Sequence, residues 1–102
     1  MVLTDSDKYK IKYIEKEVCK YFKVDYNEII KFNSTRDVSI ARSFIFYIVH
    51  KDLGISLRCM MDVFSRKYRT ITTSVAKTKY LIENLSSYNN VYNSIKKKIP
   101  FL

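Results

Sequence analysis

The chain has 102 residues, with 19 Lys and Arg against 10 Asp and Glu, a formal charge of +9. Its hydrophobic share of 47% excludes a disordered tail and gives residues 1–102 enough apolar surface for one modest core, hence a single domain. One Gly and one Pro are too few for the turns of an all-β chain, so the expected class is all-α: a compact bundle of about five to six helices.

Residues 1–7 are polar and expected to be frayed, with Asp5 or Ser6 as a possible cap. Residues 9–22 place Ile11, Ile14, Val18 and Tyr21/Phe22 on one helical face, with Lys and Glu opposite. Asp25, with Glu28 three residues on, is a capping signal for a short helix over 26–32 whose Ile29 and Ile30 point inward. Asn33, Ser34 and Thr35 form the next break. Residues 36–53 are the longest periodic stretch, with Val38, Ala41, Phe44/Ile45 and Ile48 as the inner stripe of a central helix. Gly54 stands where a left-handed cap is wanted, and Ile55 can pack back on the helix just left.

Ser56 caps the next helix, with Leu57, Met60, Met61 and Phe64 at helical spacing. A basic turn, Ser65-Arg66-Lys67-Tyr68-Arg69, leads to a second helix from about Thr70 to Leu85, with Ile71, Val75, Ile82 and Leu85 inward. With Ile71 inward, a step of about 100° per residue puts Arg69, Thr70, Thr73, Lys77 and Tyr80 outward. Six cations (Arg58, Arg66, Lys67, Arg69, Lys77, Lys79) face one acid, Asp62, over residues 58–79. Two short helices with a tight basic turn, over about 56–85, predict a helix-turn-helix. Residues 86–90 read as a break before a last short helix over 91–98.

Such a charge balance matches a polyanion: DNA, RNA or an acidic membrane surface; the helix pair with its basic turn points to double-stranded DNA. Arg69 and Thr70, at a helix start, suit base edges: Arg pairs with guanine O6/N7, and a Thr methyl meets the thymine methyl. Arg66, Lys67 and Lys77 suit phosphates, which position without specifying. His50, beside Lys51 near a helix end, reads either as a dipole-stabilising cation or as a phosphate contact. The bland alternative is a solvated basic surface. With one His, no Gly-rich loop and no spaced acid pair, neither an enzyme nor a cofactor site is expected. Cys19 and Cys59 lack metal-ligand spacing and read as free thiols of a reducing cytoplasm. The N-terminus has no apolar signal segment, and the longest apolar run, residues 44–49, is too short to span a bilayer. No membrane contact or small-molecule substrate is expected, and the expected location is the cytoplasm, on the nucleoid.

Four segments in order strengthen this reading: Val18-Cys19-Lys20-Tyr21-Phe22-Lys23-Val24, Arg36 with Ala41-Arg42, Gly54-Ile55-Ser56-Leu57, and Phe64 followed by Arg69-Thr70. From about residue 14 to 85 they resemble the C-terminal DNA-binding domain of the bacterial replication initiator DnaA, a helical domain with a Trp-repressor-like helix-turn-helix. The resemblance implies base contact for Arg69 (in place of the family's His), Thr70, Leu57 and Arg58; Thr73 joins this candidate set from its place on the same outward side of the helix. It implies phosphate contact for Arg42 and His50, with Arg36 as the nearest substitute for the minor-groove Arg, beside the phosphate reading already given for Arg66, Lys67 and Lys77. The chain departs from the family at Tyr68 (Asp there), Ile71 (a second Thr), Ser34 (the minor-groove Arg, with Arg36 nearest) and Ser65-Arg66 (two Gly). The usual origin box is therefore not the expected target, and the nucleotide-binding motor of the family is not represented. What the resemblance implies is a stand-alone DnaA-like regulator of replication or transcription. The alternative is a protein-interaction module that kept the fold and lost specific DNA recognition, with Tyr80, Tyr88 and Tyr92 as its C-terminal partner patch. An RNA binder is less favoured, because the sheet and Gly loop of common RNA modules are missing.

Overall fold

A computed structural model describes residues 3–30 and 35–102. Among them lie six helices and no strand: α1 (Asp5–Phe22), α2 (Tyr26–Ile30), α3 (Arg36–Lys51), α4 (Leu57–Phe64), α5 (Tyr68–Asn84) and α6 (Ser86–Lys97). The chain is all-α, as its scarcity of turn residues predicted.

The bundle is built around α3, which packs against α1, α2, α4 and α5. Its residues 44–49 are all buried, because neighbours surround that part of the helix. Its aromatic side chains radiate into the other layers. Phe44 lies between Phe22 of α1 (5.7 Å) and Tyr88 of α6 (5.8 Å). Phe46 meets Phe64 of α4 at 4.9 Å, and Tyr47 meets Tyr92 of α6 at 5.5 Å. Burial of each such ring contributes about 1.5–3 kcal/mol, so three rings on one helix hold four helices together.

Local chemistry sets the boundaries. Thr4 caps α1: its hydroxyl accepts from the Asp7 N–H (3.0 Å), and the Asp7 carboxylate accepts from the Thr4 N–H (3.2 Å). Residues 5–7, expected to be frayed, are thus the first turn of α1, and the cap is neither Asp5 nor Ser6. Lys23 ends α1 in the left-handed conformation at φ 56°. Asp25 starts α2 as expected, its carboxylate accepting from the Asn27 N–H at 2.9 Å. Ile30, expected inward, is 56% exposed, since one turn of helix cannot bury two successive side chains on the same face. The readings for Phe32, Asn33 and Ser34 lie outside the described residues.

Gly54 adopts φ 78° after α3, and Ile55 folds back, buried, with its N–H on the Val49 carbonyl at 3.3 Å. The C-terminal helix begins at Ser86 rather than at 91. Only Leu85 is extended between α5 and α6, and it is 45% exposed rather than inward. The expected break at 86–90 is the first turn of α6, where Ser and Asn are well tolerated.

Candidate nucleic-acid interface

The helix pair α4–α5 is shaped by two local devices. The Ser56 hydroxyl caps α4 by accepting the Cys59 N–H at 3.1 Å. Ser65 then takes the left-handed conformation (φ 51°), and the Arg66 N–H returns to the Met61 carbonyl at 3.2 Å. That tight stop lets α5 start at Tyr68, two residues before the expected Thr70. Arg69 and Thr70 therefore lie within its first turn.

The start of α5 has no side-chain cap and no acidic residue in its first turn. Its first N–H groups carry the positive end of the helix dipole without a fixed internal anion. Arg69, Thr70, Thr73, Lys77 and Tyr80 are all exposed, while Ile71, Thr78 and Ile82 are buried and Val75 is half-buried. Arg58 is exposed on the first turn of α4; Leu57 beside it is half-buried against the core. Arg36 is exposed at the start of α3, after a Thr35 cap whose hydroxyl faces the Val38 N–H at 3.5 Å.

Between α3 and the start of α5 runs a cleft of ≈ 410 Å³. It brings together Arg42, Arg66, Lys67 and Thr70 with Ser39, Ser43 and Ser74. A smaller adjoining hollow adds Lys77. The three serines were missed in the sequence. Their signal was hydroxyls four apart on both helices, Ser39/Ser43 and Thr70/Ser74, which share one helical face.

Three of the predicted phosphate residues also bond within the protein. Arg42 donates from Nε to the Ile29 carbonyl (2.8 Å) and from Nη2 to that of Glu28 (3.2 Å). Arg66 Nη2 donates to the same Ile29 carbonyl at 3.1 Å. Burial and the nearby Arg66 charge lower the Arg42 pKa. His50 Nδ1 lies 2.8 Å from the Ile55 carbonyl, a contact that requires the hydrogen on Nδ1. Its Nε2 then donates to a phosphate only in the imidazolium form. His50 also sits about 12 Å along α3 from Arg42, eight residues at about 1.5 Å each, and does not line the cleft.

The tyrosine patch is largely absorbed by the fold. Tyr80 is 64% exposed, but Tyr88 stacks on Phe44 and Tyr92 is buried, its hydroxyl donating to Asp52 at 2.7 Å. These last two rings fill space between α3 and α6, so of the three only Tyr80 is exposed. Cys19 and Cys59 are free thiols. Among the described residues no group of three metal-ligating side chains is found, and no helix is long and apolar enough to cross a membrane.

Beside the clamp on Ile29 is a pocket of ≈ 190 Å³ reaching Glu15 and Tyr26. Burial pushes the Glu15 carboxyl up to about 7, against the opposing effects of the Tyr26 hydrogen bond and the Lys12 charge.

No protein-family model matches the chain. A stretch of 74 residues, 72% of the chain, is 28% identical to the chromosomal replication initiator protein DnaA of Pseudothermotoga lettingae. The match covers 16% of that relative's length, and it supports a DnaA-related domain.

Proposed function

We propose that this domain binds double-stranded DNA through α4 and α5 acting as a helix-turn-helix, with a preference for particular sequences, as a regulator of replication or transcription in the cytoplasm. The observation that carries the reading is the uncapped, acid-free start of α5, with exposed Arg69, Thr70 and Thr73 beside a cleft lined by cations and hydroxyls. A recognition helix enters the major groove by its first turns, where a guanidinium and a threonine methyl reach base edges. Lys67, Lys77 and Arg36 are exposed cations for flanking phosphates, and Ser39, Ser43 and Ser74 supply neutral donors. The similarity to a replication initiator favours DNA over other polyanions. The interaction-module alternative loses ground, because Tyr88 and Tyr92 serve the core.

The test is a titration of labelled duplex, one random and one selected from a randomised pool, at two salt concentrations. Binding should weaken steeply from about 50 to 200 mM salt, through counterion release. Arg69→Ala should weaken the selected duplex by about 1–3 kcal/mol more than the random one. Lys77→Ala should weaken both alike and reduce the salt slope by about 0.9. Absence of binding at about 50 mM salt would refute the reading.

A further inference from the structure

We infer that Arg66 is a positioning residue: it holds the α4–α5 turn on the C-terminal end of α2 and so fixes where the start of α5 meets DNA. This inference rests on the DNA-binding reading. Its basis is the carbonyl of Ile29, a buried residue, which accepts two guanidinium donors from chain segments 13 and 37 residues away. Within its described residues, Tyr26–Ile30, α2 has no basic residue in its last turn. Arg42 and Arg66 supply donors from α3 and from the turn. Burial lowers the Arg42 pKa, and the like charge of the nearby Arg66 lowers it further. The arrangement holds because charge-assisted bonds to a carbonyl are about twice as strong as neutral ones.

The backbone around Arg66 converts that bond into orientation. Ser65, in the left-handed conformation, reverses the chain, and the Arg66 N–H is fixed to Met61. The next residue, Lys67, is the N-cap of α5, and Arg69 follows two residues later, within the first turn. Shifting the Arg66 side chain therefore re-angles the exposed start of α5, Lys67 to Thr70, about the buried Ile71, while α4 stays anchored by Met60. A base-reading helix is sensitive to such a shift because bidentate base contacts need fixed geometry, whereas phosphate contacts tolerate more.

The experiment compares wild type, Arg66→Ala and Arg66→Gln on the selected and random duplexes across the salt range, with a thermal melt of each. For Arg66→Ala we expect a loss of about tenfold or more on the selected duplex, a markedly smaller loss on the random one, and no change in the salt slope. Arg66→Gln, whose neutral amide can still donate to the Ile29 carbonyl, should recover most of the selected-site affinity. If both variants lose equally on the two duplexes and the slope falls by about 0.9, Arg66 is a phosphate ligand and the inference is wrong. It is equally wrong if Arg66→Ala melts lower but keeps the wild-type preference. If wild type binds neither duplex, the DNA-binding reading falls and takes this inference with it.

Discussion

Ser65 holds a conformation that costs an L-residue about 1–2 kcal/mol, at the point where the chain reverses between α4 and α5. Glycine removes that strain but has more backbone freedom to lose on folding, about 0.5–1 kcal/mol. Ser65→Gly should therefore stabilise the domain by about 0.5–1 kcal/mol net, visible as a higher urea midpoint; a lower midpoint would show that the Ser65 side chain matters more than its backbone. Gly54 is the mirror case. At φ 78° a side chain is strained although nothing lies within 4 Å of an added Cβ, so Gly54→Ala should destabilise by about 1 kcal/mol. Glu15 acts through its ionisation. Its folded pKa of about 7 lies above its ordinary 4.5, so the folded state binds the extra proton between those values. Stability should fall as pH rises through that window and level off above it. Glu15→Gln should flatten this slope and stabilise the domain at pH 8 by roughly 1–3 kcal/mol. Urea midpoints for both proteins at pH 5 and pH 8 decide it, and parallel pH dependences would show that Glu15 is not the group responsible.

At the scale of elements, long periodic stretches were legible and short-range exceptions were not. The inner stripe of α3, the Ser56 cap and the Gly54 stop follow from spacing and backbone preference, and each is found where expected. The outward set Arg69, Thr70, Thr73, Lys77 and Tyr80 also follows from about 100° per residue, although α5 starts two residues early. The early start was hidden because Lys67 caps nothing with its side chain, so no capping residue marks the boundary. The start of α6 was hidden because Ser and Asn suit both loops and first turns. The clamp on Ile29 was beyond reach for a different reason. A guanidinium bound to a main-chain carbonyl 37 residues away leaves no pattern in composition or spacing. Arg42 and Arg66 accordingly read as surface cations, when half of their chemistry faces the protein. The paired serines of the cleft are an intermediate case: their spacing was available, but only the packing of α3 on α5 shows that they face one another.

For the whole molecule, the excess charge has two consequences of opposite sign. A formal +9 is confined to a body of 35 × 30 × 25 Å, and ion pairs such as Lys96–Asp52 (3.6 Å) neutralise little of it. At about 10 mM salt the Debye length is about 30 Å, as large as the molecule, so every cation feels the others. At about 150 mM it is about 8 Å, and repulsion is confined to neighbours. Unfolding spreads the same charges over a larger volume, so self-repulsion penalises the folded state most at low salt. The melting temperature should therefore rise between about 10 and 150 mM salt. DNA affinity should fall over the same range, because each counterion released by a phosphate contact gains less entropy in a saltier solution. On the proposed reading, duplex added at low salt replaces the missing screening and, by binding the folded state more tightly than the unfolded one, should raise the melting temperature most where the free protein is weakest. Melts of the free and DNA-bound protein across this salt series test both signs at once. If the free protein melts lower with added salt, attraction between local pairs outweighs the net charge. The cationic cleft would then be a compensated surface, rather than one stabilised by a polyanion.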